Sequence, residues 1–218
     1  MVARTLKAAI PVEFRDKVTK WSGLSGKSKF LGSGTKGSAF RFGDKVLKVT
    51  NDESEAVTCS YLKSLGNKHP NIYNVYKVGR FKSYRATIYL IIYEYVENPT
   101  GEMEDVINVL RPFLNYDFEP DAFDEREVRK SGIGHYLRKF NSKHERYEFD
   151  EEEIELVEAN EKYAIQALSA AKYLWDNDIM SRREGLWNDW GEDNIGRRGD
   201  DLILIDVGYS LSPRDSSS

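Results

Sequence analysis

The stretch "GSGTKGSAFRFGDKVLKVT", residues 32–50, decides how this 218-residue chain folds. Gly32, Gly34 and Gly37 carry the spacing G-x-G-x-x-G. Glycine lets a backbone turn sharply and aim successive N–H groups at an anion. The same spacing serves two architectures, and the residues after it separate them. A dinucleotide-binding unit requires a helix directly after the third glycine. Here "SAFRF" and "KVLKVT" are short runs of aromatic and β-branched residues around the tight-turn signal "GDK" at 43–45. The loop therefore leads into a β-hairpin. The nearby "GKS" at 26–28 does not complete a Walker-type phosphate loop either, because position 21 is Trp where that motif needs Gly.

Working outward, the elements continue in an α+β order. Residues 52–66, "DESEAVTCSYLKSLG", begin with acids and end at Gly, which predicts a helix with a C-cap. "KFLGSG" at 29–34 predicts a strand ahead of the hairpin, and after "HPNI" at 69–72 "YNVYKVGRF" and "ATIYLIIYEYV" predict two more, making five strands and one intervening helix. Upstream, "PVEFRDKVTKWS" at 11–22 predicts a short helix with Pro at its start. "ENPTGE" at 97–102 reads as a linker, dividing the chain into domains 1–97 and 98–218. Beyond it come a helix in "EMEDVINVLRPFL", an acidic loop-like stretch to about Asp150, and one long amphipathic helix over 151–175. Ile154, Val157, Tyr163, Ile165, Leu168, Ala171 and Leu174 supply its apolar spacing.

Composition bounds the function. Forty per cent hydrophobic and 12% aromatic residues are enough for a folded core. A single cysteine, Cys59, excludes an internal disulfide framework and fits a reducing cytosol. The N-terminal apolar run is too short for a signal peptide, and no stretch is long enough to span a membrane, so a cytoplasmic location is expected. The net charge of −4 conceals an asymmetry. Residues 1–97 hold 17 Lys and Arg against 8 Asp and Glu, whereas the rest hold 15 against 28. The basic charges are scattered between strands rather than gathered on one helix face, which argues against a nucleic-acid partner. The acidic part is either a solvated face or a docking surface for a basic partner.

Near the C-terminal end, "WNDWGEDNIGRRGDDLILIDVGYS" at 187–210 places Asp189, Asn194 and Asp206 around a strand, a turn at Gly199-Asp200, and a second strand. All three offer oxygen, which a hard cation such as Mg²⁺ selects. An ordinary polar turn uses the same residue types. His69, His135 and His144 show no metal-ligand spacing.

Taken in order from Phe30 to Gly208, these pieces resemble the protein-kinase-like superfamily. The resemblance implies a bilobal fold: a five-stranded antiparallel N-lobe with one main helix, then a mostly helical C-lobe, expected here in reduced form without the activation segment and later helices because only ten residues follow Gly208, the largest departure from the family pattern. Its extent is similar to short kinases among bacterial effectors and phage proteins, for which a host-cell cytosol is the alternative location. The resemblance assigns Gly32, Ser33, Gly34, Thr35 and Gly37 to the phosphate-binding loop and Ala39 to the adenine-facing position. "VLK" makes Lys48 the phosphate-pairing lysine, with Glu55 its expected helix partner and Glu53 the second choice. "IIYEYVEN" makes Tyr93 the gatekeeper and Glu94 and Val96 the backbone contacts to adenine. "NDWGEDN" makes Asp189 the acceptor of the substrate hydroxyl proton and Asn194 a metal ligand, and "DVG" makes Asp206 the principal metal ligand. The implied cofactors are ATP and Mg²⁺ or Mn²⁺. The implied activity is a protein Ser/Thr kinase, autophosphorylating at sites such as Ser33, Thr35, Ser38 and Ser210 to Ser218. A protein substrate and an activating protein partner come with it. The alternatives are a small-molecule phosphotransferase of the antibiotic-kinase type and a nucleotide-binding pseudokinase. Three departures from the pattern stand out: Trp187 and Asn188 replace the usual His and Arg of the catalytic loop, and Gly191 stands where Ser/Thr kinases carry Lys.

Overall fold

The computed structural model describes residues 6–34, 37–142, 148–179 and 194–205. These form an α+β architecture, a five-stranded antiparallel sheet followed by a mostly helical part. They divide into two compact units. One comprises residues 6–68 with Tyr73–Tyr95; the other comprises His69–Ile72 with the described chain from Val96 onward.

The first unit opens with a short turn of helix, α1 (Leu6–Ala9). Pro11 then holds a 3-10 turn over Val12–Phe14, closed by Phe14 N–H donating to Pro11 O at 2.9 Å. Helix α2 (Arg15–Ser22) follows and stops at Gly23, whose φ of 63° lies in the left-handed region. The single helix expected over 11–22 is thus two elements.

Strands β1 (Lys29–Ser33), β2 (Gly37–Phe42) and β3 (Lys45–Thr50) form the meander read from the opening stretch. Helix α3 (Glu53–Ser64) comes next, and β4 (Val75–Lys82) and β5 (Thr87–Glu94) complete the sheet in the order β1-β2-β3-β5-β4. Because side chains alternate across a strand, register sorts the residues by face. Phe40 lies opposite Leu47, and Leu47 opposite Ile92. This row packs with Ile10, Phe14 and Val18 into one core cluster, so the N-terminal helices cover that face. Burying each such side chain is worth about 1.5–3 kcal/mol. The neighbouring row, Ala39–Lys48–Ile91, belongs to the other face.

Helix α3 starts where sequence chemistry says it should. The Asp52 carboxylate accepts from the N–H groups of Ser54 and Glu55 at 2.9 and 3.2 Å, and Glu53 and Glu55 favour the positive end of the helix. Its inward side contributes Ala56, Cys59 and Leu62, all buried.

In the second unit, α4 (Gly101–Tyr116) buries Met103, Val106, Ile107, Leu110, Phe113 and Leu114. Phe113 is the centre of an aromatic cluster, edge-on to Phe118, Phe140 and Phe149 with ring centroids 4.7–5.6 Å away. The stretch expected to be loop up to Asp150 instead contains α5 (Glu125–Ser131) and α6 (Ile133–Asn141). Asp124 caps α5, and Gly132, with φ 90°, separates the two helices. Helix α5 buries a single apolar residue, Val128, and so shows no period, whereas Ile133, Leu137 and Phe140 of α6 keep helical spacing that the expectation of a loop missed.

The long helix expected over 151–175 is broken into α7 (Glu151–Ala159) and α8 (Glu161–Asp176). Asn160 sits between them with non-helical torsions, its side chain donating to Leu156 O at 3.0 Å. A side chain that satisfies the last turn's carbonyl competes with helix continuation, and here it wins. The described chain ends in the hairpin β6 (Ile195–Arg198) and β7 (Asp201–Leu204), turned at Gly199 with φ 63°. No helix among the described residues is long and apolar enough to cross a membrane.

Candidate functional site

The first unit assembles a basic, glycine-lined corner around Lys48. On the glycine-rich loop, Gly34 N–H donates to Gly37 O at 3.0 Å, closing a tight reversal between β1 and β2. Gly37 is required by close approach: a Cβ there would stand 2.5 Å from Val49 O and 3.1 Å from Thr50 Cα. Gly32 and Gly34 face open space, with no atom within 4 Å of where a methyl group would stand. Thr35 lies outside the described residues. Ser38 is buried, while Ser33 is exposed at the rim.

Register places Ala39 directly opposite Lys48 and Val46 opposite Tyr93, so Ala39, Lys48 and Tyr93 share the sheet face that α3 approaches. Lys48 Nζ forms an ion pair with the Glu55 carboxylate, with side-chain exposures of 23% and 9%. The alternative partner, Glu53, is turned elsewhere. It lies 3.9 Å from Arg80 on β4 and bonds to the Tyr89 hydroxyl, whose pKa is raised first by burial and then by that carboxylate. Half a turn of helix therefore decides between the two glutamates.

Tyr93 stands edge-on to Tyr73 at 5.2 Å, and the Tyr73 hydroxyl lies 3.1 Å from Cys59 Sγ. The Glu94 N–H is already donated to Asn74 O at 2.9 Å, and its carboxylate accepts from the Asn74 side chain at 2.8 Å. Backbone contact from Glu94 to a base would therefore come through its carbonyl.

In the second unit, Val96 packs against β6, where a Cβ on Gly196 would meet Val96 Cγ2 at 2.5 Å. Glu97 and Arg197 exchange backbone bonds at 2.9 and 3.0 Å, and their side chains pair at 2.6 Å. Asn194 immediately precedes β6, and its carbonyl accepts from Ile205 N–H at 2.9 Å. The hairpin thus sets position 205 opposite 194. Asp206, Asp189 and the rest of 180–193 lie outside the described residues, as do Ser210 to Ser218 and His144. Among the described residues no group of three or more His, Cys, Asp or Glu side chains is disposed to hold a metal. Asn194 is the one member of the expected oxygen set within the description, and its amide oxygen is of the hard type that Mg²⁺ takes.

Three residues that hold this hairpin were not singled out in the sequence. Gln166 on α8, only 9% exposed, donates to Asp201 at 2.7 Å and accepts from Leu202 N–H at 2.9 Å. Asn71, from the "HPNI" turn, donates to Leu202 O and accepts from Leu204 N–H, both at 2.9 Å. Lys162 on α8 pairs with Asp200 and Asp201 at 2.9 and 3.1 Å. The available signal was a polar Gln inside the apolar stripe of α8 between Ile165 and Leu168. A buried amide must find partners, and here the partners are the hairpin.

No family model matches the sequence, and no curated protein matches it. Among solved structures the chain is similar to aminoglycoside phosphotransferases. For the GDP and kanamycin complex of one, APH(2")-IIIa, identity is 15% over 92% of this chain and 74% of that one, at a TM-score of 0.43. For the streptomycin–ATP complex of APH(2")-IIa the figures are 15%, 91%, 70% and 0.37. For the ADP-bound aminoglycoside phosphotransferase APH(2'')-Ib they are 14%, 91%, 70% and 0.38. All three are distant likenesses.

Proposed function

We propose that the chain is an ATP-dependent phosphotransferase that moves the γ-phosphoryl group to a hydroxyl acceptor. The observation that carries this reading is the Lys48–Glu55 ion pair beside the reversal at 34–37, on the sheet face shared with Ala39 and Tyr93. Phosphoryl transfer asks a protein for positioning and charge neutralisation rather than covalent chemistry. A lysine held by a carboxylate presents a fixed positive charge to phosphate oxygens, and loop N–H groups add further donors. Ala39 on this face would leave room for a flat base, and Tyr93 would limit its depth. Asp189 would accept the acceptor hydroxyl's proton. Asn194 and Asp206 would hold Mg²⁺, which when bound neutralises charge on the phosphates.

For the acceptor, we favour a small, positively charged hydroxyl compound over protein Ser/Thr. The support is the charge of residues 98–218, with 28 Asp and Glu against 15 Lys and Arg. An acidic surface raises the local concentration of cationic substrates. The test is to incubate radiolabelled ATP and Mg²⁺ with the protein alone, with generic protein substrate, and with a panel of polyamine and amino-sugar alcohols. Label on a small molecule supports the proposal. Label on protein alone restores the Ser/Thr reading, and nucleotide binding without transfer identifies a pseudokinase.

A further inference from the structure

A continuous hydrogen-bonded chain joins α5, α8, the 69–72 turn and the β6–β7 hairpin within the second unit. The Ser169 hydroxyl donates to Glu125 at 2.7 Å, and His69 Nε2 lies 3.2 Å from Ser169 Oγ. On the other side of the ring, Asn71 N–H donates to His69 Nδ1 at 3.2 Å. Nδ1 therefore carries no proton, and Nε2 must donate to Ser169. Asn71 in turn holds β7 at two points, Leu202 O and Leu204 N–H, beside the parallel bridge from Ile72 to Leu204.

We propose that His69 is a pH-sensitive latch for the hairpin. A proton taken from solvent would add to Nδ1, where it meets the Asn71 N–H. Two donors cannot share that bond, so the turn must move, and the two contacts to β7 run through the same residue. Among the described residues, Glu125, itself paired with Arg129, acts on the ring from α5, and Tyr173 packs against it from α8 with ring centroids 5.0 Å apart. From β6, Arg198 bonds to Pro70 O at 3.0 Å. Glu125 favours the charged ring; burial opposes it and prevails, so the neutral form is held in the folded state. With its pKa lowered on folding, His69 contributes stability above its ordinary range near pH 6.5, and that contribution is lost on acidification. The latch does not depend on phosphoryl transfer.

The test is amide exchange on the whole protein between about pH 8 and about pH 5, the range over which histidine titrates, corrected for intrinsic rates. Protection of the Leu204 amide should fall by roughly severalfold or more as the turn that holds it loosens. The Leu110 amide inside α4 should not change. In His69→Asn, whose side-chain oxygen keeps an acceptor near Nδ1 but does not titrate, Leu204 protection should be flat. The proposal is overturned if Leu204 is unchanged in the native protein, if His69→Asn shows the same fall, or if Leu110 falls in step. Should that variant not fold, ring ¹⁵N shifts of the native protein decide. They should show Nδ1 unprotonated at neutral pH and gaining its proton over the range where Leu204 loosens. A ring with Nε2 as the unprotonated nitrogen overturns the latch.

Discussion

Lys48 on β3 is paired with Glu55 on α3, and the helix is turned so that Glu53 meets Arg80 and Tyr89 instead. The pair is largely shielded from water, so removing either partner would leave a poorly solvated charge behind.

Lys48→Ala should reduce nucleotide-dependent transfer by about a hundredfold or more, the scale seen when one charge-stabilising donor is removed from a reacting centre. Glu55→Gln keeps the shape but frees the ammonium group to wander, and should cost about tenfold. The check is transfer assayed at saturating ATP, with circular dichroism confirming the fold. Glu53→Gln should leave transfer within about twofold, since its partners are Arg80 and Tyr89 rather than Lys48.

The three loop glycines should separate by mechanism. Gly37→Ala forces a methyl against Val49 O and Thr50 Cα, pushing β2 from β3, and should destabilise the fold by about 1–3 kcal/mol. Gly32→Ala and Gly34→Ala meet no such obstacle and should change stability by less than about 1 kcal/mol. Urea unfolding of the three variants measures this directly. Equal losses in all three would contradict the assignment.

Gln166→Leu removes one amide that serves both Asp201 and the Leu202 N–H. Leaving a buried donor and a carboxylate without these partners should cost about 1–3 kcal/mol, against little for a surface Gln. Thermal unfolding is the measurement, and a midpoint equal to that of the native protein would show that the α8–hairpin bond is replaceable.

Acid stability should depend on Lys162. Its bonds, with Tyr163 assisting, hold the Asp200 carboxyl below the usual aspartate range. Asp201 is lowered first by Gln166 and then by Lys162. Carboxylates lowered on folding contribute stability above their ordinary range, and that contribution is lost as pH falls through the lowered folded values. Lys162→Ala should therefore flatten the loss of melting temperature below about pH 4 while leaving the curve near neutrality parallel to that of the native protein. Melting curves across the acid range provide the comparison.

Much of the architecture is legible along the chain because its signals are local. The glycine spacing, the turn at 43–45, the alternation in "KVLKVT", the Asp52 cap and the Gly199 turn each act over a few residues. The same locality explains the misses. The apolar spacing from Ile154 to Leu174 continues across Asn160, yet the side chain at 160 spends its hydrogen bond on Leu156 and ends the helix. Helix α5 offers one buried apolar residue, Val128, and so no period, while the spacing of Ile133, Leu137 and Phe140 in α6 spans only two turns and is secured by Phe140 packing against Phe113.

The candidate site divides along the same line. Residue types and their order along the chain nominated Lys48, the glycines and Asn194, because chemistry belongs to side chains. Which glutamate meets Lys48 depends on how α3 is rotated on the sheet, a quantity set by Ala56, Cys59 and Leu62 finding their seats in the core. The links from His69 to Ser169, a hundred residues apart, and from Asn71 to Leu202, 131 apart, are likewise decided only by the tertiary structure. No local propensity records where a buried polar group will find its partner; only the closed fold, which removes water as the alternative, makes that choice.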